Sequence, residues 1–416
     1  MRAELDRSTL PGPTLDDFLA ARERVSAVVE TTPMERSRFL SEIAGQPVFL
    51  KTENLQRTGS YKIRGAYNRL SQLSPEERAL GVVASSAGNH AQGVALAARE
   101  LGITATIFMP NGAALPKLQA TRNYGADVVL HGDIFDETNA AAQEFCARTG
   151  AVFIPPFDHP DVVAGQGTVA LEILDQVPDV GTVIVPIGGG GLISGIASAL
   201  ALAAPDRDIR VLGVQARTAA PYPVSLAAGE ITPVVVGPTI ADGIAVARPG
   251  ALNFEIINRT VDDVVTVSDD DIARALVVLL ERAKLVVEPA GGAGVAALLS
   301  GSLELHGPTV VVLSGGNIDP MIMERVISRG LVADRRYLKV DIPLPDRPGQ
   351  LARIAEIISE ANANVVEVLH TRHGTGLQIT EVGIEIHMET KGPDHAEEVL
   401  RHLREAGYRP RVDTRV

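Results

Sequence analysis

The residues around Lys62 suggest that its amine could act as a nucleophile. It lies in the stretch GSYKIRG (59–65), where Tyr61, Ile63 and Arg64 replace the acidic residues that usually neighbour a surface lysine. A lysine amine is a nucleophile only when part of it is neutral, and an apolar or cationic neighbourhood favours the neutral form. The stretch alone also fits a structural lysine at the end of a helix or strand, so other parts of the chain must decide.

A glycine run is the second such feature. PIGGGGLISG (186–195) follows an apolar strand pattern and precedes an apolar helix pattern. Successive glycines remove every Cβ from the turn, so backbone N–H groups can converge on an anion. The helix expected from about Leu192 adds its positive end. The run is neither a P-loop nor a dinucleotide fingerprint. A tight packing turn is the alternative, but it rarely needs four glycines, so we expect a phosphate here.

Two more turns follow apolar strands. SSAGNHAQG (85–93) places Asn89 at a helix start, where its amide could bind a carboxylate or a phenolic oxygen. His90 is expected to be a capping or packing residue and not a general base. LSGGNID (313–319) places Ser314 at the carboxyl end of a strand, where open α/β sheets bind ligands. A helix cap would also account for this serine taken alone.

A phosphate-binding turn and a partly neutral lysine are together what pyridoxal phosphate requires of a protein, because the turn holds its phosphate and the lysine binds its aldehyde. Metal chemistry has less support, because the sequence has neither a paired-cysteine motif nor HExxH. The stretch HTRH (370–373) lacks a third ligand nearby and is expected to be a solvated loop. We therefore expect no metal site.

The chain reads as an α/β protein with a second, smaller domain. Near-continuous Val, Ile and Leu runs alternate with helical patterns up to about residue 330, which predicts parallel sheets covered on both faces. Beyond this point, alternation in YLKVDIPL and EVGIEIHME predicts a sheet with one buried face. Two amphipathic helices complete a ferredoxin-like βαββαβ module. We expect a catalytic domain over 1–330, with a small subdomain over roughly 52–157, then a linker at 331–336 and the module over 337–416.

Bulk properties exclude several partners. A net charge of −13 argues against nucleic acid and anionic membranes. The uncharged segment 180–205 is long enough to span a bilayer, but Pro186 and the glycine run interrupt it. The first twenty residues hold acids and prolines where a secretory signal needs an apolar core. With Cys146 as the single cysteine, a cytoplasmic location is expected.

Seven motifs of this chain resemble one enzyme group. They occur in the order found in the threonine dehydratase (threonine ammonia-lyase) group of fold-type II pyridoxal-phosphate enzymes, over roughly residues 15–330. The motifs are KTENLQRTGSYKIRGAYN, SSAGNHAQGVA, PFDHPDVVAGQGT, PIGGGGL, TIADGIAV, VEPAGGAG and LSGGNID. The C-terminal module, with LPDRPGQLARIAEIISEANANV, resembles an ACT domain, an amino-acid-sensing regulatory fold.

The resemblance implies roles for individual residues. Lys62 would hold the cofactor as a Schiff base and then act as the base at the substrate Cα. Asn89 would bind the ring hydroxyl of the cofactor, and Ser314 would face its pyridine nitrogen. The backbone N–H groups that would bind the phosphate are those of Gly188, Gly189, Gly190, Gly191 and Leu192. The best candidates for the substrate carboxylate are Ser86, Asn89 and His90, and those for an effector are Asp346, Gly349 and Gln350.

The implied reaction is elimination of water from L-threonine to give 2-oxobutanoate and ammonia, with L-serine giving pyruvate by the same route. The resemblance further implies a role in isoleucine biosynthesis, a branched-chain amino-acid effector, and a homodimer or homotetramer. Serine racemases share most of the motifs, but they usually have serine where this chain has Ala87, and carboxylates at the positions of Gln215 and Pro221. A lyase is therefore expected. The alternatives are a serine racemase or serine dehydratase activity, or an amino-acid sensor without catalysis.

Overall fold

A computed structural model describes residues 10–371 and 380–412 of the chain. The chain divides into two compact units, Met1–Pro320 and Met321–Val416. This division precedes the expected linker at 331–336, and residues Pro320–Ala333 form a helix. The domain bounds given above stay a prediction.

The first unit contains thirteen α-helices and ten strands in its described part. The helices are α1 (Leu15–Val25), α2 (Arg38–Ala44), α3 (Lys62–Ser71), α4 (Pro75–Leu80), α5 (Asn89–Leu101), α6 (Leu115–Asn123), α7 (Phe135–Thr149), α8 (Pro160–Gln176), α9 (Gly191–Ala203), α10 (Pro221–Ala228), α11 (Ala251–Thr260), α12 (Asp269–Val278) and α13 (Pro289–Leu299). The strands are β1 (Met34–Arg36), β2 (Val48–Lys51), β3 (Val82–Ser85), β4 (Ala105–Met109), β5 (Asp127–Leu130), β6 (Val152–Phe153), β7 (Thr182–Pro186), β8 (Arg210–Ala216), β9 (Asp263–Val267) and β10 (Thr309–Val312).

Two sheets organise this unit. The larger has the strand order β1-β2-β10-β7-β8-β9 and is parallel except for β1. The smaller has the order β5-β4-β3-β6 and is parallel throughout. Strands β3, β7 and β10 are buried along their whole length, as their continuous apolar runs predict. The carboxyl ends of these strands lead into the three turns that carry the candidate site residues.

Helix α3 is positioned by both of its faces. Ile63, Ala66 and Leu70, at helical spacing, pack into the core of the smaller sheet. The other side carries Arg64, which is fully buried and bound to carboxylates from two other elements. A helix held on two sides keeps its first residue, Lys62, at a fixed place.

The second unit is an antiparallel sheet covered by two helices. Its elements are α14 (Pro320–Ala333), β11 (Tyr337–Pro345), α15 (Gln350–Glu360), β12 (Asn364–Thr371), β13 (Glu381–Glu389), α16 (Pro393–Glu405) and β14 (Arg411–Val412). The strand order is β12-β13-β11-β14. Alternate residues of β11 and β13, such as Val340 and Ile386, face the core with Ile354 and Leu403 of the helices. This is the βαββαβ arrangement expected of a ferredoxin-like module.

The predicted fold class is therefore confirmed. Ser74 and Glu77 form a capping box at α4, and Ser268 caps α12. Helix α9, expected from about Leu192, begins at Gly191. One local prediction was wrong, because His370 lies in strand β12 and not in a loop. Its partner in the HTRH stretch, His373, lies outside the described residues.

Across the described ranges, no helix is long and apolar enough to cross a membrane. Segment 180–205 divides into β7, the glycine turn and α9, as its proline and glycines predict.

Candidate active site

Lys62 is the first residue of α3, and its amine donates a hydrogen bond of 2.8 Å to the carbonyl oxygen of Pro156. The turn before it is tied to the strand end at β10, because the N–H of Tyr61 donates to the carbonyl of Ser314 at 3.2 Å. Burial lowers the pKa of Lys62 to about 8, and the negative charge of Glu288 opposes this shift. The side chain thus meets the condition for an amine that is partly neutral near pH 8.

Asn89 begins α5, and its amide is held from both sides. Its Nδ2 donates to Glu288 at 2.7 Å, and its Oδ1 accepts from Asn317 Nδ2 at 2.8 Å. Asn317 also donates to the carbonyl of Thr58 at 2.7 Å. An amide nitrogen carries two donors, so these contacts fix the orientation of Asn89 and leave it one further N–H.

Glu288 is buried beside this amide. Burial raises its pKa to about 7, with a smaller contribution from the negative charge of Asp242, while Asn89 and Lys62 act in the opposite direction. Its backbone N–H donates to Gly315 at 3.0 Å, which connects α13 to the turn that carries Ser314. Glu288 therefore links the strand-end turns of β3 and β10.

The glycine run presents several backbone N–H groups that have no acceptor in the described part of the chain. Four of its residues, Gly189, Gly190, Gly191 and Leu192, are buried, and in the described part of the chain the N–H groups from Gly188 to Leu192 have no acceptor. The first intrahelical bond of α9 is from Ser194 to Gly190 at 2.9 Å. A buried helix start without capping partners is unusual unless an anion binds there.

The same glycines are also required for packing. A Cβ on Gly189 would lie 2.4 Å from the ring of Phe157, and one on Gly190 would lie 2.1 Å from the hydroxyl of Tyr222. Gly190 has φ +103°, a conformation that residues other than glycine rarely adopt. The phosphate and packing interpretations of the run are therefore compatible.

Ser314 is 4% exposed and follows β10. In residues 10–371 and 380–412 no hydrogen bond to its hydroxyl is found, which leaves this neutral group available to a ligand. Gly315 beside it would bring a Cβ to 3.0 Å from Nδ2 of Asn89. Lys62, Asn89 and Ser314 thus belong to one cluster, and Pro156 and Phe157 connect that cluster to the glycine run.

The other predicted residues of this site follow β3. Ser86 accepts from the N–H of Gly88 at 3.1 Å. His90 is buried, with Nε2 2.9 Å from the carbonyl of Ile154. Burial, and to a smaller degree the charge of Lys62, lowers the pKa of His90 to about 3, so the ring is neutral. A carbonyl only accepts, so Nε2 carries the proton and Nδ1 has none to donate. This matches the expectation that His90 is a packing residue.

A buried group of four charged side chains includes Arg64, which lies two residues after Lys62 on α3. Arg64 donates to Glu53 at 2.8 Å and to Glu172 at 2.7 Å, and Lys51 reaches Glu172 at 2.5 Å. Thr168 and the carbonyl of Thr32 complete the set. These contacts join α3 to β2 and α8. Two positive and two negative side chains balance one another, which is what permits their burial.

Sequence reasoning missed the roles of Glu288, Asn317, Phe157 and Tyr222. The first three lie within the quoted motifs VEPAGGAG, LSGGNID and PFDHPDVVAGQGT, which is the signal that could have found them. Tyr222 lies outside those motifs, and only the fold brings it to the glycine run.

The predicted effector residues lie at the start of α15 in the second unit. Gly349 is the N-cap with φ +89°, and Gln350 is the first helical residue. The side-chain oxygen of Gln350 accepts from Tyr408 at 3.3 Å. The N–H of Asp346 donates to the carbonyl of Thr380 at 3.0 Å. The three residues share one loop and helix start.

Known proteins are similar to this chain, in sequence or in fold, over most of its length. The chain is 48% identical over 400 residues to L-threonine ammonia-lyase of Thermotoga maritima, covering 96% of this chain and 99% of that protein. The processed form of threonine deaminase isoform 2 from Solanum lycopersicum has a TM-score of 0.72 at 36% identity, covering 77% of this chain and 96% of that one. A maize serine racemase has the same TM-score and identity, covering 77% of this chain and 98% of that one.

Two family models match the chain. Residues 342–407 match the ACT domain, and residues 25–316 match the family of pyridoxal-phosphate dependent enzymes. The second match spans more than half of the 416 residues and contains Lys62, Asn89, the glycine run and Ser314. The chain therefore belongs to the pyridoxal-phosphate dependent enzymes and carries a C-terminal ACT domain.

Proposed function

We propose that the protein is a pyridoxal-phosphate dependent threonine ammonia-lyase, which converts L-threonine to 2-oxobutanoate and ammonia and acts on L-serine to give pyruvate. The observation that carries the proposal is the cluster of an amine with lowered pKa, a fixed amide and a helix start with unused donors. The name of the Thermotoga relative, which matches over almost the whole chain, supports the choice of substrate.

The residues present fit the cofactor. The unused N–H groups of the glycine run would hold its phosphate, and Lys62 would bind its aldehyde carbon. The remaining N–H of Asn89 would meet its ring hydroxyl, and the Ser314 hydroxyl its pyridine nitrogen. When bound, the cofactor withdraws electrons from the bonds at the substrate Cα. A neutral serine at the ring nitrogen limits this withdrawal, which favours early loss of a β-leaving group.

Once the substrate amine has displaced it from the aldehyde carbon, Lys62 would act as the base. Its amine takes the proton from Cα as the Cα–H electrons form the Cα–Cβ double bond, and the β-hydroxyl leaves with a proton as water. The released enamine takes up one water and yields 2-oxobutanoate and ammonia, so the reaction consumes threonine alone and is balanced. A base with pKa about 8 suits proton transfer near neutral pH.

The substrate carboxylate would lie against the turn that holds Ser86, Asn89 and His90. Because Nδ1 of His90 has no proton to donate, we infer that backbone N–H groups at the start of α5, together with the hydroxyl of Ser86, bind the carboxylate.

The same turn separates a lyase from a racemase. Ala87 has no proton to deliver to the second face of Cα. Both polar atoms of Gln215 are engaged within the chain, with Nε2 on the carbonyl of Ile187 at 3.2 Å and Oε1 on the N–H of Tyr222 at 3.0 Å. Pro221 begins α10. These contacts support elimination over racemisation.

Assaying the purified holoenzyme with L-threonine, L-serine and their D-forms tests the function. We expect 2-oxobutanoate and ammonia in equal amounts from L-threonine, pyruvate from L-serine, and no D-serine. Formation of D-serine faster than pyruvate would show a racemase, and absence of turnover with every substrate would favour the sensor alternative.

The pH dependence of cofactor capture tests the state of Lys62. Only the neutral amine attacks an aldehyde. The rate at which the apoprotein captures the cofactor should therefore rise with pH, with its midpoint at about pH 8, and then level off. The growth of visible cofactor absorbance, followed by stopped flow, measures this rate. Because the charge of Glu288 raises the pKa of Lys62, Glu288→Gln should move the midpoint to lower pH. A midpoint near the ordinary value of 10.5 in both proteins would contradict the assignment.

We propose further that the ACT domain binds a branched-chain amino acid at Asp346, Gly349 and Gln350, and that the enzyme serves isoleucine biosynthesis in the cytoplasm as a homodimer or homotetramer. The catalytic domain would span 1–330, the linker 331–336 and the regulatory domain 337–416. The match of residues 342–407 to the ACT family supports the regulatory part.

Isoleucine is expected to lower activity and raise the melting temperature, since a ligand that binds the native state stabilises it. Gln350→Ala should reduce both responses, because it removes a side chain at the start of α15. Glu360→Ala, at the far end of the same helix, is the matched control and should keep them. Calorimetry and initial rates at rising isoleucine measure the effect, and identical responses in all three proteins would place the effector elsewhere.

A further inference from the structure

The carbonyl oxygen of Gly189 accepts three hydrogen bonds. The Tyr222 hydroxyl donates at 2.9 Å, the Asn253 side-chain amide at 3.2 Å and the backbone N–H of Gly250 at 3.2 Å. A carbonyl has two lone pairs, so this oxygen is fully occupied. The N–H groups of the same turn, in contrast, have no acceptor in the described part of the chain.

The occupied carbonyl and one of the N–H groups without an acceptor belong to the same peptide group. The carbonyl of Gly189 and the N–H of Gly190 share a planar trans peptide, in which they point in opposite directions. Fixing the carbonyl therefore fixes the direction of the N–H. Glycine peptides are the freest in a chain, so a peptide between two glycines needs such support to keep one orientation.

The two side chains that donate to this carbonyl lie in the interior of the protein. Tyr222 and Asn253 are fully buried. The N–H of Tyr222 donates to Gln215, which anchors the start of α10 to β8. Burial, together with the charge of Asp158, raises the pKa of Tyr222 above its ordinary range, so the phenol keeps its proton and donates throughout the working pH range.

We propose that Tyr222 and Asn253 are positioning residues for the cofactor phosphate, which hold the Gly189–Gly190 peptide with the N–H of Gly190 directed at that group. The proposal rests on the proposed function, because it requires that the glycine run binds the phosphate. Neither side chain touches the phosphate in this arrangement, and each acts through the backbone.

The test compares two aldehydes that differ only in the phosphate. Apoprotein is titrated with pyridoxal phosphate and, separately, with pyridoxal, and visible absorbance gives both dissociation constants. Tyr222→Phe removes one hydroxyl and keeps the ring. We expect it to weaken binding of pyridoxal phosphate about tenfold, the effect of one supporting hydrogen bond, and to leave binding of pyridoxal unchanged. Binding of inorganic phosphate to the apoprotein should weaken in parallel.

Ser225→Ala is the matched control. Ser225 lies one turn further along α10, is buried, and donates to the carbonyl of Thr232 at 3.2 Å. Its loss should destabilise the protein to a similar degree without changing the ratio of the two dissociation constants. If Tyr222→Phe does not fold, Asn253→Ala tests the same carbonyl from α11 and carries the same expectation.

Each outcome has a distinct meaning. An unchanged ratio in Tyr222→Phe and Asn253→Ala, or an equal loss for both aldehydes, would overturn the positioning role. If the parent protein binds pyridoxal as tightly as pyridoxal phosphate, the glycine run is not a phosphate site, and the assignment of that run in the proposed function fails first.

Discussion

Replacing Lys62 by alanine is expected to remove the visible absorbance of the bound cofactor and to lower kcat on L-threonine by about 10³-fold or more. Two roles would be lost at once, since in the proposed reaction the same amine binds the aldehyde and takes the Cα proton. The Lys62 amine donates to the carbonyl of Pro156, and the backbone N–H of Tyr61 before it donates to the carbonyl of Ser314, so this lysine is held at the start of α3. Absorbance spectra and 2-oxobutanoate release measure the two effects.

Lys391→Ala, at an exposed position of the second unit, is the control and should leave both quantities unchanged. The Lys62 assignment would be wrong if the alanine variant released 2-oxobutanoate at the parent rate. Loss of absorbance with intact turnover would separate the two roles and give the proton transfer to another group.

Replacing Arg64 by methionine is expected to lower the free energy of unfolding by about 3–5 kcal/mol. Methionine fills much of the space but leaves Glu53 and Glu172 buried with only Lys51 to balance them. Urea unfolding followed by circular dichroism measures the loss. Arg38→Met is the matched control, because Arg38 is 95% exposed and lies 3.9 Å from Glu42. It should cost less than about 0.5 kcal/mol.

The pH dependence gives this prediction a second test. Burial alone would raise the pKa of Glu53, but Arg64 beside it holds that pKa below the ordinary value of 4.5. A carboxyl with a lowered pKa stabilises the native state above its unfolded pKa, and this contribution is lost as the pH falls. Without Arg64 the pKa of Glu53 rises, so the variant should lose less stability to acid than the parent. A deficit that grows as the pH falls below 4.5 would contradict the account of this cluster.

Local patterns in the sequence predicted the parts of the fold that local chemistry decides. The runs that became β3, β7 and β10 are apolar throughout because helices cover both faces of their sheets. The caps at Ser74 and Ser268 follow from side-chain bonds within one turn of helix. Strand β2 was missed, since four residues ending in Lys51 show no clear period.

The rest of the site depends on contacts distant in sequence. Lys51 is buried because Glu172 on α8 forms an ion pair with it. The residues next to Lys51 in the sequence give no sign of that pairing. Tyr222 meets Gly189 only after α10 folds back on the glycine run. The glycines let the sequence predict an anion at the run, but Tyr222 and Asn253, whose side chains hold the Gly189 carbonyl, reach it only in the folded chain.

The central claim is that Lys62 carries the cofactor in the intact enzyme. Borohydride reduction of the holoenzyme, followed by digestion and mass spectrometry, finds the lysine that bears the pyridoxyl group. We expect this group on the peptide that contains GSYKIRG, at Lys62, with loss of threonine turnover in proportion to labelling. A pyridoxyl group on any other lysine, or full labelling of Lys62 with activity retained, would contradict it.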